Sequence, residues 1–275
     1  MNILITGATG FVGSNFLKKL LIKKKNINIY LVSRNNFYSK NIKTLKCDIF
    51  DTKNLENQIK KIKPDILIHI AWISTPNAYQ QSFENFKWLE NSLRLIKIFI
   101  QNGGKEIIIT GSCSELKINS LKDHSDLYTI TKHSLHLLSR ELADQNNVIL
   151  KWARLPFMFG PLEAKERLVS FLINECKKDK NIILHYPSKF IPLMYIDDVT
   201  SKLVDYCFKS SGKIFNILPE TETNIFALAK TIVSILKSDS KILNKENSYI
   251  NDHNKINLPV DVMVSLRQYI KNLKV

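Results

Sequence analysis

Short apolar runs alternate along this chain with longer stretches in which apolar residues recur every three or four positions. Ile3-Leu4-Ile5 opens as a buried strand, and Phe11 to Lys24 follows with Phe16, Leu17, Leu20 and Leu21 on one helical face. Ile27 to Val32 and Thr44 to Asp48 read as strands, and Thr52 to Ile62 as a helix. Pro64-Asp65 introduces a strand over Ile66 to Ile70, and a long helix over about Phe83 to Asn102 is closed by Gly103-Gly104. Ile107 to Thr110, a helix over Ser125 to Gln145, and Val148 to Arg154 complete six strands. Strict alternation of this kind predicts an α/β fold built on a doubly wound parallel sheet.

The pattern loosens after Pro156. Leu168 to Lys177, Asp197 to Phe208 and Ile225 to Leu236 have helical spacing, and Ile214 to Ile217 reads as a strand. Ser238 to His253 is polar and reads as irregular. The expected organisation is a first domain over 1–155 and a small C-terminal α/β lobe over 156–275. The segment 190–217 is expected to rejoin the first domain's core.

The 275 residues carry a net charge of +15, from 40 basic and 25 acidic side chains. Only six of the 40 are Arg, at 34, 94, 140, 154, 167 and 267. Bidentate gripping of phosphates and bases favours Arg, so the charge does not predict a nucleic-acid partner. It suits attraction of small anionic substrates. Cys47, Cys113, Cys176 and Cys207 form no metal spacing, and no metal site is predicted. Free thiols and the lack of a visible targeting segment predict a cytoplasmic protein. The apolar stretch near Ile66 to Ile73 is too short to span a bilayer.

Three of the eight glycines, Gly7, Gly10 and Gly13, fall directly after the first strand and at a helix start. A tight strand-to-helix turn needs permissive φ, a close backbone approach to a diphosphate, and a helix N-terminus to attract the anion. The turn, with Phe11 and Val12 between its last two glycines, is therefore a dinucleotide-binding candidate. A ribose-binding carboxylate is expected about 20 residues further on. Ser33 stands there instead, followed by Arg34. A cation in place of a carboxylate favours NADP(H), gripped at its 2′-phosphate, with NAD(H) the alternative.

Tyr128 and Lys132 lie four apart on a predicted helix, hence on one face. A neighbouring ammonium favours phenolate and is expected to pull the Tyr128 pKa down from about 10. A phenol tuned in this way exchanges protons with a substrate alcohol. Lys132 can also hold the nicotinamide ribose.

The Gly-x-x-Gly-x-x-Gly spacing and Tyr128-Thr129-Ile130-Thr131-Lys132 after the fifth strand resemble the short-chain dehydrogenase/reductase superfamily. The likeness is to its extended branch of sugar-nucleotide epimerases, dehydratases and reductases, whose fold is of Rossmann type. It continues through Lys63 to Ala71, Arg154 to Pro161, Met194 to Val199 and Gly212 to Ile217, covering about 215 residues. The resemblance implies a third catalytic residue just after the fifth strand. Ser112 matches best, with Ser114 as fallback. It also implies that Asp48 and Ile49 border the adenine, that Ala71 ends a cofactor-lining strand, and that the two long helices form a homodimer surface. An Arg that grips the substrate diphosphate in the family is replaced by Ile191, leaving Lys189 as a substitute.

Family dehydratases carry an Asp-Glu pair after the catalytic hydroxyl, where this chain has Cys113 and Ser114. That argues against a 4,6-dehydratase. The expected activity is NADP-dependent reduction of a nucleotide-linked 4-keto-6-deoxy sugar. Hydride would reach the ring carbonyl, Tyr128 would protonate the alkoxide and Ser112 would orient it. A 4-epimerase, or an epimerase-reductase using Cys113 and a histidine such as His185, is the alternative within this fold. A non-catalytic NADP-binding sensor or scaffold is the alternative of another class. The remaining histidines, His69, His133 and His136, read as structural.

Overall fold

The computed structural model describes residues 1–23, 27–35, 37, 42–76, 78–118, 126–208, 213–246 and 257–273. In chain order the elements begin β1 (Asn2–Thr6), α1 (Phe11–Lys23), β2 (Asn28–Ser33), β3 (Ile42–Lys46), α2 (Thr52–Ile62), β4 (Ile66–His69) and α3 (Glu84–Gln101). They continue with β5 (Glu106–Ser112), a 3₁₀ turn over Cys113–Lys117, α4 (Leu127–Gln145), β6 (Ile149–Leu155) and β7 (Phe157–Phe159). Then come α5 (Leu168–Cys176), β8 (Ile182–Leu184), β9 (Phe190–Ile191), β10 (Leu193–Tyr195) and α6 (Ile196–Phe208). β11 (Ile214–Asn216), β12 (Thr223–Asn224), α7 (Ile225–Leu236), β13 (Ile242–Asn244) and α8 (Val260–Asn272) end the chain.

Two compact units result. One comprises Met1–Leu155 with Thr200–Ile217, the other Pro156–Val199 with Leu218–Val275. The first unit is built on a seven-stranded sheet ordered β11-β6-β5-β4-β1-β2-β3. Every neighbouring pair is parallel. From β1 the chain winds outward through β2 and β3, then returns beside β1 with β4 and winds the other way. This is the doubly wound, Rossmann-type arrangement, and its switch point lies between β1 and β4. Crevices at that point, beyond the carboxyl ends of the strands, are where such sheets bind ligands.

The runs forecast as strands are buried because helices cover both sheet faces. Ile3, Leu4, Ile5, Leu67, Ile68, Ile107 and Ile108 have no accessible surface. Leu95, Ile96 and Phe99 of α3 and Leu135 of α4 pack on one side with Trp152 of β6. Asp51 caps α2 by accepting from the Asn54 N–H, and Lys63 ends that helix in the left-handed region, φ 41°. Asp126 caps α4 by accepting from the Thr129 N–H at 2.8 Å. That cap starts the helix at Leu127; Ser125, where the sequence pattern started it, lies outside the described residues, as does Gly212.

The second unit departs from the sequence reading in detail. Leu243 of β13 sits in parallel register with Ile183 of β8, inside the stretch that reads as irregular. Residues 247–253 of that stretch lie outside the described residues. Helix α8 went unread, although Val262, Leu266, Tyr269 and Ile270 form its buried stripe at helical spacing. β7 with β10 and β9 with β12 are pairs of only two or three residues. Such pairs carry too short an alternation to be read from sequence.

One buried polar chain crosses the first unit's core. Thr6 Oγ1 lies 2.6 Å from His69 Nδ1, and His69 Nε2 lies 2.8 Å from Ser92 Oγ. His69 has no accessible surface. Burial, helped by the Lys132 charge, pushes it down to about 3. The unfolded chain binds this proton near pH 6.5, the native state only near 3. Stability is therefore full above about 6.5 and falls as the pH drops toward 3. Burial also pushes His136 down, to about 4, with the same sign. Urea midpoints measured from pH 8 to pH 5 should fall with pH in the parent protein, and fall less in His69→Gln.

Candidate active site

The turn after β1 is shaped by the absence of side chains. Gly7 has φ +74°, and a Cβ there would lie 2.5 Å from the Ala71 nitrogen. A Cβ on Gly13 would lie 2.0 Å from the Gly7 carbonyl oxygen. Gly7 O accepts from Gly10 N–H at 3.1 Å, and Gly10 O from Ser14 N–H at 2.9 Å, which leads the chain into α1. The first turn of α1 holds no acidic residue, so no carboxylate competes with an anion at this helix N-terminus. Phe11 and Val12 are half-buried and Gly10 is exposed. The cradle thus fits a diphosphate. The Ala71 N–H also lies 3.4 Å from Thr6 Oγ1, which ties the end of β4 to the end of β1.

The neighbouring strand ends carry the other cofactor candidates. Ser33 is half-buried at the end of β2, and its Oγ accepts from the Asn35 N–H at 3.2 Å. Arg34 is exposed beside it. Beyond β3, Asp48 Oδ1 accepts from the Phe50 N–H at 3.0 Å, and Ile49 is buried.

Ser112 ends β5 and caps the 3₁₀ turn, its Oγ accepting from the Ser114 N–H at 3.2 Å. The Ser112 hydroxyl is near enough to the Tyr128 phenol to favour its ionised form. The structure therefore brings Ser112 to Tyr128, while Ser114 contributes a backbone donor to the cap. Lys132 is 2 % exposed; its Nζ donates to Thr110 O at 2.8 Å and lies 4.2 Å from the centre of the Trp72 ring.

The electrostatics differ from the sequence expectation. Burial pushes the Tyr128 phenol well above its ordinary value, with Tyr79, Glu115 and Cys113 adding to the rise and Ser112 opposing it. The Lys132 ammonium is engaged with Thr110 O and the Trp72 ring. Burial instead pushes Lys132 itself down to about 7, against an opposing pull from Glu115. Burial likewise pushes the Cys113 thiol up to about 11.

Five neighbours went unread as parts of the site. Tyr79 meets Tyr128 edge to face at 4.8 Å between centroids, and Gln80 O accepts from the Tyr128 N–H at 2.9 Å. Trp72 Nε1 donates to Asn85 Oδ1, and Asn85 Nδ2 donates in turn to Tyr79 O and Ser82 O. Asn85 thus fastens the loop that frames Tyr128 and Lys132. Glu115 lies enclosed behind Ser112. Only the capping spacing from Ser112 to Glu115 signals any of these contacts in sequence.

Lys189 belongs to the second unit. It is exposed, with Nζ 5.9 Å from the Tyr186 ring centre, while Ile191 is buried in that unit's core. His133 and His136 lie on α4, and His136 stacks on Trp152 at 4.6 Å, a packing role. Among the described residues, no helix is long and apolar enough to cross a membrane.

Comparison with known proteins agrees with this geometry. The family model described as NAD dependent epimerase/dehydratase matches residues 3–217. A dTDP-D-glucose 4,6-dehydratase of Dictyostelium discoideum is 26% identical over 270 residues, covering 85% of this chain and 62% of that protein. A CDP-abequose synthase of Yersinia pseudotuberculosis is 22% identical over 266 residues, covering 92% and 90%. Among solved structures, a UDP-glucose 4-epimerase of Thermotoga maritima with UDP-glucose superposes with a TM-score of 0.82 at 18% identity, covering 100% and 99%. A dTDP-glucose 4,6-dehydratase of Bacillus anthracis in complex with NAD gives 0.78 at 16% identity, covering 100% and 96%.

Because a methyl group at position 13 meets backbone, Gly13→Ala cannot be absorbed by a side-chain shift. The variant should have a lower Tm and bind NADPH at least about tenfold more weakly in a fluorescence titration.

Proposed function

The chain belongs to the NAD-dependent epimerase/dehydratase family, the extended branch of the short-chain dehydrogenases/reductases, and on that premise we propose that it is an NADP-dependent reductase of a nucleotide-linked 4-keto-6-deoxy sugar. The observation that carries this reading is that Ser112, at the end of β5 and acting on the Tyr128 phenol, is followed by Cys113 and Ser114 and not by two carboxylic acids. A dehydratase needs an acid and a base there to remove water. A thiol held up to about 11 serves poorly as either, which also counts against a Cys113-dependent epimerase-reductase.

The glycine cradle and Lys132 would hold the dinucleotide, with Ser33 and Arg34 at its adenosine ribose and Asp48, Ile49 and Ala71 along its length. When bound, the reduced nicotinamide supplies the hydride. Ser112 donates a hydrogen bond to the substrate carbonyl oxygen and fixes it beside Tyr128. As the ring carbon accepts hydride, its oxygen takes the Tyr128 proton, leaving the alcohol and a phenolate that regains a proton from solvent. Burial keeps the phenol in its protonated, donor form. Arg34, exposed next to Ser33, which stands where a ribose-binding carboxylate would, supports NADP. Lys189 is the proposed contact to the substrate diphosphate.

A 4-epimerase is the second reading, favoured by the solved UDP-glucose 4-epimerases and by neighbours crystallised with NAD. It would oxidise and re-reduce one carbon without net loss of cofactor. Four buried free cysteines support a cytoplasmic setting.

NADPH absorbance with a panel of nucleotide-linked 4-keto-6-deoxy sugars tests the proposal. Consumption with one of them is expected, with kcat reduced about 10²–10⁴-fold in Tyr128→Phe. Arg34→Ala should weaken NADPH by about tenfold and leave NADH unchanged. Unchanged absorbance together with epimerised product from an ordinary sugar nucleotide would replace the reductase by the epimerase. Bound NADPH with neither consumption nor epimerised product would favour a non-catalytic binder.

A homodimer is proposed on the paired helices α3 and α4. Phe86 of α3 and Ile130, Leu137 and Leu138 of α4 are exposed, as is Phe83 just before α3. Sedimentation should give twice the chain mass, and Leu138→Glu should give a monomer. A parent protein sedimenting as one chain would refute the dimer.

A further inference from the structure

We propose that Glu115 is a positioning residue of this site: its enclosed carboxylate, ion-paired to Arg154, holds the backbone of Ser112 in place and brings its charge to bear on the group formed by Ser112, Tyr128 and Lys132. This rests on the reading of Ser112, Tyr128 and Lys132 as the catalytic group.

The side chain of Glu115 has no accessible surface. Oε1 accepts from the Ser112 N–H at 2.6 Å. Oε2 accepts from Trp152 Nε1 at 3.0 Å and from Arg154 Nε at 3.3 Å. A capping box needs only the first of these contacts, and ordinarily makes it at the surface. Enclosing the charge is costly unless its lone pairs are met, and here two β6 side chains meet them. Strand β5 also makes room: a Cβ on Gly111 would lie 2.4 Å from Glu115 Oε1 and 2.2 Å from Trp152 Nε1. This is more construction than a five-residue turn requires. What it fixes is the N–H of the residue whose hydroxyl meets Tyr128.

The charge acts on both proton-carrying groups in a useful direction. Glu115 raises Tyr128 and raises Lys132, so it favours phenol and ammonium, the proton-loaded state. The other groups in reach are Tyr79 and Cys113 at Tyr128, and His69 near Lys132. Lys117 acts on Cys113, and Arg154, His133 and Arg140 act on His136. Ligand atoms of Glu115, His133 and His136 lie within 4.8 Å of one another. With three N–H donors already on the carboxylate, one from a guanidinium, this cluster is an ion-pair centre.

Glu115→Gln keeps the shape and removes the charge. The Lys132 ε-carbon resonance, assigned by its loss in Lys132→Arg, should titrate near pH 7 in the parent and about one unit lower in the variant. This measurement needs no substrate, so a failed reductase assay would remove the functional reading and leave this inference still decidable. In the active enzyme, kcat should fall about tenfold with KM unchanged, and the alkaline limb of the kcat profile should move to lower pH. Glu115→Asp should restore the limb while kcat stays reduced. A folded Glu115→Gln with the parent's titration and pH profile overturns the proposal, since loss of a structural contact alone would lower Tm and move neither. Should Glu115→Gln not fold, Arg154→Gln decides: freeing the carboxylate of its cation should raise the Lys132 midpoint, and an unmoved midpoint overturns the proposal.

Discussion

Backbone meets backbone without intervening side chains where β1 turns into α1, and the first unit is organised around that contact. The Gly7 carbonyl lies where a Cβ of residue 13 would stand, and the Ala71 nitrogen lies where a Cβ of residue 7 would stand. Any side chain there would separate α1 from β1, or β1 from β4, and open the crevice at the sheet's switch point. The parallel order of the strands brings the ends of β1, β2, β4 and β5 to the same edge. Every first-unit candidate residue except those on α1 and α4 lies on or just beyond a strand end at that edge. Packing of α1 and the chemistry of the site therefore share one constraint.

Polar groups drawn into the interior make the second layer of order. Thr6, His69 and Ser92 link β1, β4 and α3 through side chains alone. Lys132 reaches from α4 to a carbonyl of β5 and covers Trp72. Each such group must find partners or shift its protonation, because burial disfavours charge. His69 is held neutral, Lys132 is brought close to neutrality near pH 7, and the Tyr128 phenol resists ionisation. These directions follow from the burial of the groups more than from the spacing of Tyr128 and Lys132 on their helix.

Solved structures of an epimerase and of a dehydratase share this frame. A fold common to an epimerase and a dehydratase at 16–18% identity leaves the choice to a few side chains after β5 and at the end of β2. In this chain those are Cys113, Ser114, Ser33 and Arg34. The proposal of net reduction over removal of water rests on their chemistry.

The sequence by itself determined what depends on local pattern. Alternating strands and helices, the glycine spacing, and the pairing of Tyr128 with Lys132 on one helical face all follow from periodicities of a few residues, so the first unit was legible almost throughout. The tertiary structure alone decided what depends on residues distant in the chain. That Ser112 and not Ser114 meets Tyr128, that Trp72 and Tyr79 frame the pair, and that Trp152 and Arg154 enclose Glu115 are products of strand order and helix packing. The same reason explains the second unit. Its two- and three-residue strands exist only through partners far along the chain, so no local period announces them. The protonation of Tyr128 and Lys132 was decided there as well, because desolvation is set by what the folded chain places around a group.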